Sequence, residues 1–218
     1  LIPTPIGNLE DITFRAVRLL GEADRILAED TRVTRRLLDH YAITTPVSAY
    51  HQHNEHRTTA EWVTRLAAGE KLALVTDAGT PGISDPGFML ARACREAGIG
   101  VECLPGATAF VPALAASGIP CDRFVFEGFL PPKKGRATRI AAMAQETRTT
   151  VLYESPHKLV RTLEALAEAC GPDRQAGVFR ELTKWHEEHA LGTLATLRED
   201  FASRDAVKGE IVLVLAGA

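Results

Sequence analysis

Short apolar runs rich in branched residues alternate with segments of helical period along almost the whole chain. The runs predict strands over Leu1–Thr4, Asp24–Ala28, Pro46–Tyr50, Leu72–Thr76, Val101–Leu104, Arg123–Glu127, Thr149–Glu154, Ala176–Glu181 and Glu210–Leu215. Helices are predicted between most of them: Thr13–Leu20, Thr31–Asp39, Glu55–Ala68, Pro86–Ala97, Ala107–Ser117, Arg136–Gln145, Pro156–Ala169 and Leu194–Phe201. Such alternation argues an α/β fold with a largely parallel sheet. Leu72-Ala-Leu-Val-Thr76 is apolar at four of its five positions, as a strand covered on both faces should be. A break is expected near Gly118-Ile-Pro-Cys121, after a helix of small residues and before a new strand. It divides the chain into an N-terminal α/β domain over 1–120 and a C-terminal α/β domain over 121–218, both in the usual domain range.

Composition narrows the function classes. The 218 residues are 45% hydrophobic and 24% charged, enough for a core without disulfides or structural metal. Lys and Arg total 25 against 28 Asp and Glu, a net charge of -3 that excludes a strongly basic module but not local basic patches. Cys94, Cys103, Cys121 and Cys170 form no CxxC pair, so they read as buried, reduced thiols of a cytoplasmic protein. No apolar run approaches a membrane span. Pro3 and Pro5 stand where the apolar core of a leader would be. The chain opens on Leu1 and not Met, so a targeting segment upstream stays open. His51-Gln-His-Asn-Glu-His56 and His186-Glu-Glu-His189 match no metal-ligand spacing and read as surface histidines, so no metal is expected.

Four segments share one design, a strand running into a tight loop that opens a helix: Thr4–Asp11, Ala28–Arg32, Thr76–Gly87 and Leu104–Ala109. In an open parallel sheet these loops emerge at the carboxyl ends of the strands, where ligands bind. The third holds Gly79 and Gly82, stiffened by Pro81 and Pro86, with Asp85-Pro86 expected to cap the next helix. A plain turn accounts poorly for Asp77-Ala-Gly-Thr-Pro81, and a ligand loop accounts for it well. GxGxxG, GxxxxGK[ST] and GxSxG are all absent, so neither a dinucleotide site, a P-loop nor a nucleophile elbow is supported. The second half adds Tyr153-Glu-Ser-Pro-His-Lys158, with Ser155-Pro156 again read as a cap. It also adds Phe179-Arg-Glu-Leu-Thr-Lys184, which sets Arg180, Glu181 and Lys184 at a strand end.

Pro3–Leu9, Ala28–Arg32, Asp77–Pro81, Ser84–Gly87, Leu104–Gly106, Glu127–Leu130, Tyr153–Ser155, Arg180–Lys184 and Lys208–Glu210 together resemble the ribosomal RNA small subunit methyltransferase I family, a bacterial branch of the tetrapyrrole methylase superfamily. The match runs the length of the chain. Family members often carry a further helical segment after the last strand; this sequence runs to Ala218. The resemblance implies an S-adenosylmethionine-dependent methyltransferase acting on a cytidine ribose 2′-hydroxyl of 16S ribosomal RNA, possessing two α/β domains with the donor in the cleft between them. It also implies a cytoplasmic homodimer without membrane contact, working on RNA free or in the small subunit. By motif, the donor residues are Pro5, Gly7, Asp77, Gly79, Ile83, Thr108, Ala109, Tyr153, Leu182 and Gly209. No catalytic base transfers from the family.

Methyl transfer is an in-line displacement governed by positioning, and a ribose hydroxyl gains from a nearby base or cation. Asp30, Glu154 and Glu181 are candidate bases, with Arg32 and Lys184 as electrostatic helpers. Arg32, Arg35 and Arg36 on one helix, and Lys133, Lys134 and Arg136 after Pro131-Pro132, are candidate phosphate contacts. Two rival readings are a methylase of a tetrapyrrole or of a protein side chain, and a metal-dependent hydrolase using Asp77, Asp85 and the His51, His53 and His56 cluster.

Overall fold

A computed structural model describes all residues, 1–218. The chain forms two compact units, Leu1–Thr108 and Ala109–Ala218. The division precedes helix α5 (Phe110–Ala116), which packs on strands of the second unit, whereas the Gly118–Cys121 loop lies inside that unit.

The first unit carries a parallel sheet of β1 (Arg25–Ala28), β2 (Val47–Ala49) and β3 (Leu72–Val75), in the order β2-β1-β3. Its helices are α1 (Phe14–Glu22), α2 (Thr31–His40), α3 (Glu55–Ala67) and α4 (Phe88–Glu96). Alternation along β1 decides which layer each residue meets. Ile26 and Ala28 pack with Ala16 and Leu20 of α1 and Leu38 of α2. Leu27, between them, packs on the other face with Trp62 of α3 and Leu90 of α4.

The expected strands Leu1–Thr4 and Val101–Leu104 are extended segments joined by single bonds and not full ladders. The Ile2 N–H donates to the Leu74 carbonyl at 2.9 Å, and the Leu104 N–H to the Leu1 carbonyl at 3.0 Å. Pro3 and Pro5 have no N–H to extend a ladder. Helix α4 begins two residues later than Asp85-Pro86 suggests. The Pro86 carbonyl accepts from the Gly82 N–H at 3.1 Å, closing the loop on itself, and Gly87 takes φ 137° before the helix starts. A Cβ at Gly87 would lie 3.1 Å from Leu74 Cδ2 and 3.2 Å from the Gly82 nitrogen, so this turn is tightly packed.

The second unit has five strands: β4 (Phe124–Phe129), β5 (Thr149–Glu154), β6 (Gln175–Arg180), β7 (Glu188–Thr193) and β8 (Ile211–Leu215), in the order β4-β5-β8-β6-β7. Only β4 and β5 are parallel; the other three pairings are antiparallel. The expectation of a largely parallel sheet therefore holds for the first unit and is corrected for the second. Strand β7 was not anticipated, because Glu188-His-Ala-Leu-Gly-Thr193 is an edge strand with polar and small residues. β8, buried at all five positions, runs between β5 and β6. Helices α6 (Arg136–Gln145), α7 (Leu159–Cys170) and α8 (Leu194–Ser203) bury Ile140, Met143, Leu163, Leu166, Leu197 and Phe201 in the unit's core. Helix α7 starts three residues after Pro156. Ser155 does not cap it; the Lys158 N–H donates to the Ser155 carbonyl at 2.9 Å in a separate turn. No helix is long and apolar enough to cross a membrane. All four cysteines are free; Cys94 is buried, but Cys103 and Cys121 are exposed, contrary to the expectation of four buried thiols.

Candidate functional site

The first unit collects carboxylates where β1 and β3 end. Glu29 and Asp30 follow β1, and Asp77 lies two residues past β3. The Asp30 N–H donates to Asp77 Oδ1 at 2.9 Å, tying the two loops together. Asp30 also caps α2, accepting from the Arg32 N–H at 2.8 Å. Its two oxygens take the Arg32 guanidinium at 3.1 and 2.6 Å. That guanidinium holds the Asp30 carboxyl far below the usual carboxylate range. A carboxylate so held is a weak proton acceptor, and the charge of Arg32 is already matched. Asp30 and Arg32 thus serve each other in this geometry, not a base-and-helper pair. Burial pushes the Glu29 carboxyl up, and the charge of Asp77 adds to it. Burial also raises Asp77, against the opposing hydrogen bond from the Asp30 N–H. Sequence reasoning passed over Glu29; its only signal was its place inside Ala28-Glu-Asp-Thr-Arg32.

The glycine-rich loop is joined to its neighbours on both sides. Gly79 and Thr4 exchange both backbone hydrogen bonds at 2.9 Å, which brings the first and third loops together. The Thr80 and Thr108 hydroxyls meet at 2.6 Å above the Ala107 carbonyl, which joins the third and fourth. A Cβ at Gly106 would fall 2.5 Å from Pro3 Cβ, so the fourth loop packs against the residue that leads into the first. These contacts gather Pro5, Gly7, Asp77, Gly79, Ile83 and Thr108 around one end of the first sheet. Gly79 sits at φ 79°. The nearest atoms to a Cβ there would be Ile6 Cγ2 at 3.6 Å and the Ala107 oxygen at 3.8 Å. Backbone conformation, not crowding within the chain, is what calls for glycine at this position.

In the second unit, Tyr153 and Glu154 end β5. Glu154 is nearly fully buried and accepts from the Thr162 hydroxyl at 2.5 Å and the Ser155 N–H at 2.7 Å. An Arg136 terminal nitrogen lies 3.7 Å from Glu154 Oε2 and donates to Thr162 Oγ1 at 2.6 Å. Two expectations are corrected here. Glu154 is a satisfied internal acceptor and not a base facing a substrate. Arg136 turns inward and does not join Lys133 and Lys134 at the surface. The apolar body of the unit makes this burial tolerable only because the two charges compensate each other.

Glu181 leads a tight turn at the end of β6, with φ 53° at Glu181 and 64° at Thr183. Its carboxylate accepts from Lys184 Nζ at 2.8 Å and from the Glu210 N–H at 2.9 Å. Burial pushes Glu181 up, but these two donors outweigh it and hold the carboxyl below its ordinary value. Burial lowers Lys184, and its bonds to Glu181 and Glu210 more than reverse this. A Cβ at Gly209 would collide with the Glu181 side chain, so Gly209 is where the β8 turn passes closest. Leu182 is buried beside this cluster, while Tyr153 and Ala109 are half-buried.

Arg35, Arg36, Lys133 and Lys134 are exposed without an acidic partner. No three His, Cys, Asp or Glu side chains converge as a metal-binding group. The His51 and His53 rings are 5.9 Å apart, and His189 Nε2 pairs with Glu187 Oε1 at 2.7 Å.

Residues 1–198 match the family described as Tetrapyrrole (Corrin/Porphyrin) Methylases. The chain is 53% identical over 219 residues to Ribosomal RNA small subunit methyltransferase I of Synechocystis sp., covering all of this chain and 78% of the relative. It is 49% identical over 220 residues to the protein of the same name from Xylella fastidiosa, covering 100% and 81%. Among solved structures it is similar to uroporphyrin-III C-methyl transferase from Thermus thermophilus complexed with S-adenyl homocysteine. The TM-score is 0.65 at 19% identity, with 99% of this chain and 95% of that one covered.

Proposed function

This chain belongs to the tetrapyrrole (corrin/porphyrin) methylase family, and we propose that it transfers a methyl group from S-adenosylmethionine to the 2′-hydroxyl of a cytidine in 16S ribosomal RNA. The observation that carries this reading is the 53% identity, over the whole chain, with a small-subunit ribosomal RNA methyltransferase.

The loops of the first unit suit the donor. S-adenosylmethionine is a sulfonium cation bearing an ammonium group, and Glu29 and Asp77 supply carboxylates where β1 and β3 end. Gly79, at φ 79°, presents main chain without a side chain of its own beside Ile6 and the Ala107 carbonyl, a surface that an adenosine can approach closely. Pro5, Gly7, Asp77, Gly79, Ile83 and Thr108 are assigned to the donor from this unit. Ala109, Tyr153, Leu182 and Gly209 are assigned to it from the second. The donor supplies an electrophilic methyl group, and the chain's residues have to place a ribose hydroxyl in line with it. Asp30–Arg32 and Glu181–Lys184 act as fixed dipoles that hold loops in position, since each pair is internally matched. Lys133 and Lys134, with Arg35 and Arg36, are assigned to phosphates. The enzyme is further taken to be a cytoplasmic homodimer.

Calorimetry tests the donor and nucleoside mass spectrometry tests the product. After chelator treatment, S-adenosylmethionine and S-adenosylhomocysteine should each bind once per chain. Small subunits from cells lacking the enzyme should gain one 2′-O-methylcytidine when incubated with protein and donor. Absence of heat with both ligands, or a methyl group on carbon of a tetrapyrrole instead, refutes the proposal.

A further inference from the structure

β4 and β5 run parallel, so the segments that follow them leave the same end of the second unit's sheet. After β4 come Phe129, then Leu130-Pro-Pro, then Lys133 and Lys134, both exposed. After β5 come His157 and Lys158, then Arg161 in the first turn of α7, all exposed. Lys133, Lys134, Lys158 and Arg161 have no acidic partner, and neither 129–135 nor 155–161 contains an Asp or Glu. The part-buried bond from Arg136 to Thr162 ties the start of α6 to α7, so the two cationic loops are braced against each other from beneath.

An aromatic side chain stands at the head of this basic surface. β4 has an irregularity between Phe126 and Gly128, with Gly128 at φ 60°. Without it, Phe126 and Phe129 would point to opposite faces. The extra residue brings Phe129 opposite Tyr153, while Phe126 pairs with Val151 on the same face. The Phe129 ring lies 5.5 Å from Tyr153, and Phe126 meets Tyr153 at 5.1 Å. Phe126 and Phe110 are half-buried and stack on each other at 4.7 Å, but Phe129 remains 59% exposed. Core packing does not require a bulge whose effect is to turn a phenyl ring into solvent.

We propose that this end of the second unit is a platform for a single-stranded stretch of the RNA substrate, with Phe129 stacking on an unpaired base and Lys133, Lys134, Lys158 and Arg161 pairing with phosphates. Sequence-specific RNA recognition targets splayed bases that stack on aromatic rings. Stacking beside a cationic track is the general mode of single-strand binding. Charge complementarity favours a polyanion here over a second copy of a chain whose net charge is only -3. The inference rests on the ribosomal RNA reading above, and it makes Phe129 a positioning residue beside Tyr153.

The test uses the full chain with two probes, unmethylated small subunits and a pyrimidine-rich single-stranded oligoribonucleotide. Methylation reports on the ribosomal RNA reading, and direct binding reports on the platform. Phe129→Leu should weaken oligoribonucleotide binding and raise KM for subunits by about tenfold, with kcat and donor affinity little changed. Phe129→Tyr should restore both. Replacing Lys133, Lys134, Lys158 and Arg161 by Ala should flatten the dependence of log K on log salt by about 3, from roughly 0.7 per phosphate contact on a single strand. Unchanged binding and salt slope in variants that still bind donor overturn the platform. So does a fall in light-scattering mass for Phe129→Leu, which would assign the ring to an interface between copies. If the wild type binds the oligoribonucleotide through these residues yet methylates no subunit, the platform stands and the substrate reading falls.

Discussion

Arg136→Ala separates an internal strut from a phosphate contact. In the native chain the Arg136 side chain is 13% exposed and that of Glu154 is 4% exposed, with 3.7 Å between the charged groups. At an effective dielectric of 20, the attraction at that distance is about 4 kcal/mol before desolvation is subtracted. Truncating Arg136 leaves the Glu154 carboxylate buried, with only the Thr162 hydroxyl and the Ser155 N–H for partners. It also removes the donor from Arg136 to Thr162 Oγ1. Breaking a buried pair from one side costs roughly 3–5 kcal/mol. We therefore expect about 3 kcal/mol in urea unfolding followed by circular dichroism, and a thermal midpoint lower by roughly 6–12 °C. The paired change Arg136→Met with Glu154→Gln should recover much of that loss, because it removes both charges and leaves none stranded. A cost below about 1 kcal/mol for Arg136→Ala, together with a salt slope of RNA binding flatter by about 0.7, would show that the guanidinium faces phosphate in solution. The inward strut would then be refuted.

Gly79→Val should abolish S-adenosylmethionine binding in calorimetry. A β-branched residue at φ 79° is strained, and its side chain would crowd Ile6 and the Ala107 carbonyl; normal affinity would move the donor site elsewhere. Glu188 is held down at about 2 by hydrogen bonds from Arg204 first, and from Arg180, against burial. Its ordinary value is 4.5, so the unfolded chain binds the proton first as pH falls. Solvent screening of this part-exposed cluster leaves roughly 1–2 kcal/mol of stability, present above pH 4.5 and lost as pH drops through 2. Glu188→Gln should lose stability at pH 7 and converge with the wild type near pH 2 in chemical denaturation, and parallel curves would contradict this. Light scattering at micromolar concentration should give twice 23.6 kDa, and a monomer mass would count against the homodimer.

The elements that could be read from sequence are those whose burial pattern is their own. Leu72–Val75 and Ile211–Leu215 are apolar on both faces because other layers cover them, and each lies within its expected strand. Arg136–Gln145 has its expected limits because Gly135, at φ 86°, allows a sharp entry to the helix. β7 escaped notice because it is an edge strand of polar and small residues, Glu188-His-Ala-Leu-Gly-Thr193, whose pairing with the preceding β6 leaves no continuous apolar run. The direction of β8 was equally hidden, since an apolar strand reads the same whether its neighbours are parallel or antiparallel. Both caps failed for one reason: a residue pair such as Asp85-Pro86 or Ser155-Pro156 states that a helix can start, while a separate local turn, closed by the Gly82 N–H to the Pro86 carbonyl in one and by the Lys158 N–H to the Ser155 carbonyl in the other, delays where it does.

The site divides along the same line. Loops rich in glycine and proline were legible as ligand loops because strained conformations leave a compositional mark: Gly79, Gly82 and Gly87 all take positive φ. Charged residues leave no such mark. Asp30, Arg32, Glu154, Arg136, Glu181 and Lys184 were all read as outward-facing chemistry, and in the fold each is matched with another of the set. Their motif positions are better explained by loop geometry than by proton transfer. Removing one charge leaves its partner unmatched, so mutations here will lower activity through misplaced loops even if no proton is handled. A loss of activity at Asp30 or Glu181 therefore identifies a base only if the rate also acquires a new pH dependence while donor affinity holds. The groups whose environment does shift toward proton acceptance are Glu29 and Asp77, raised by burial at the ends of β1 and β3. Glu29→Gln, with its shape kept and its proton affinity removed, is the substitution on which that distinction turns: with kcat measured at saturating donor, a slope lost from the acid limb marks a base, and a parallel fall at every pH marks a positioning role.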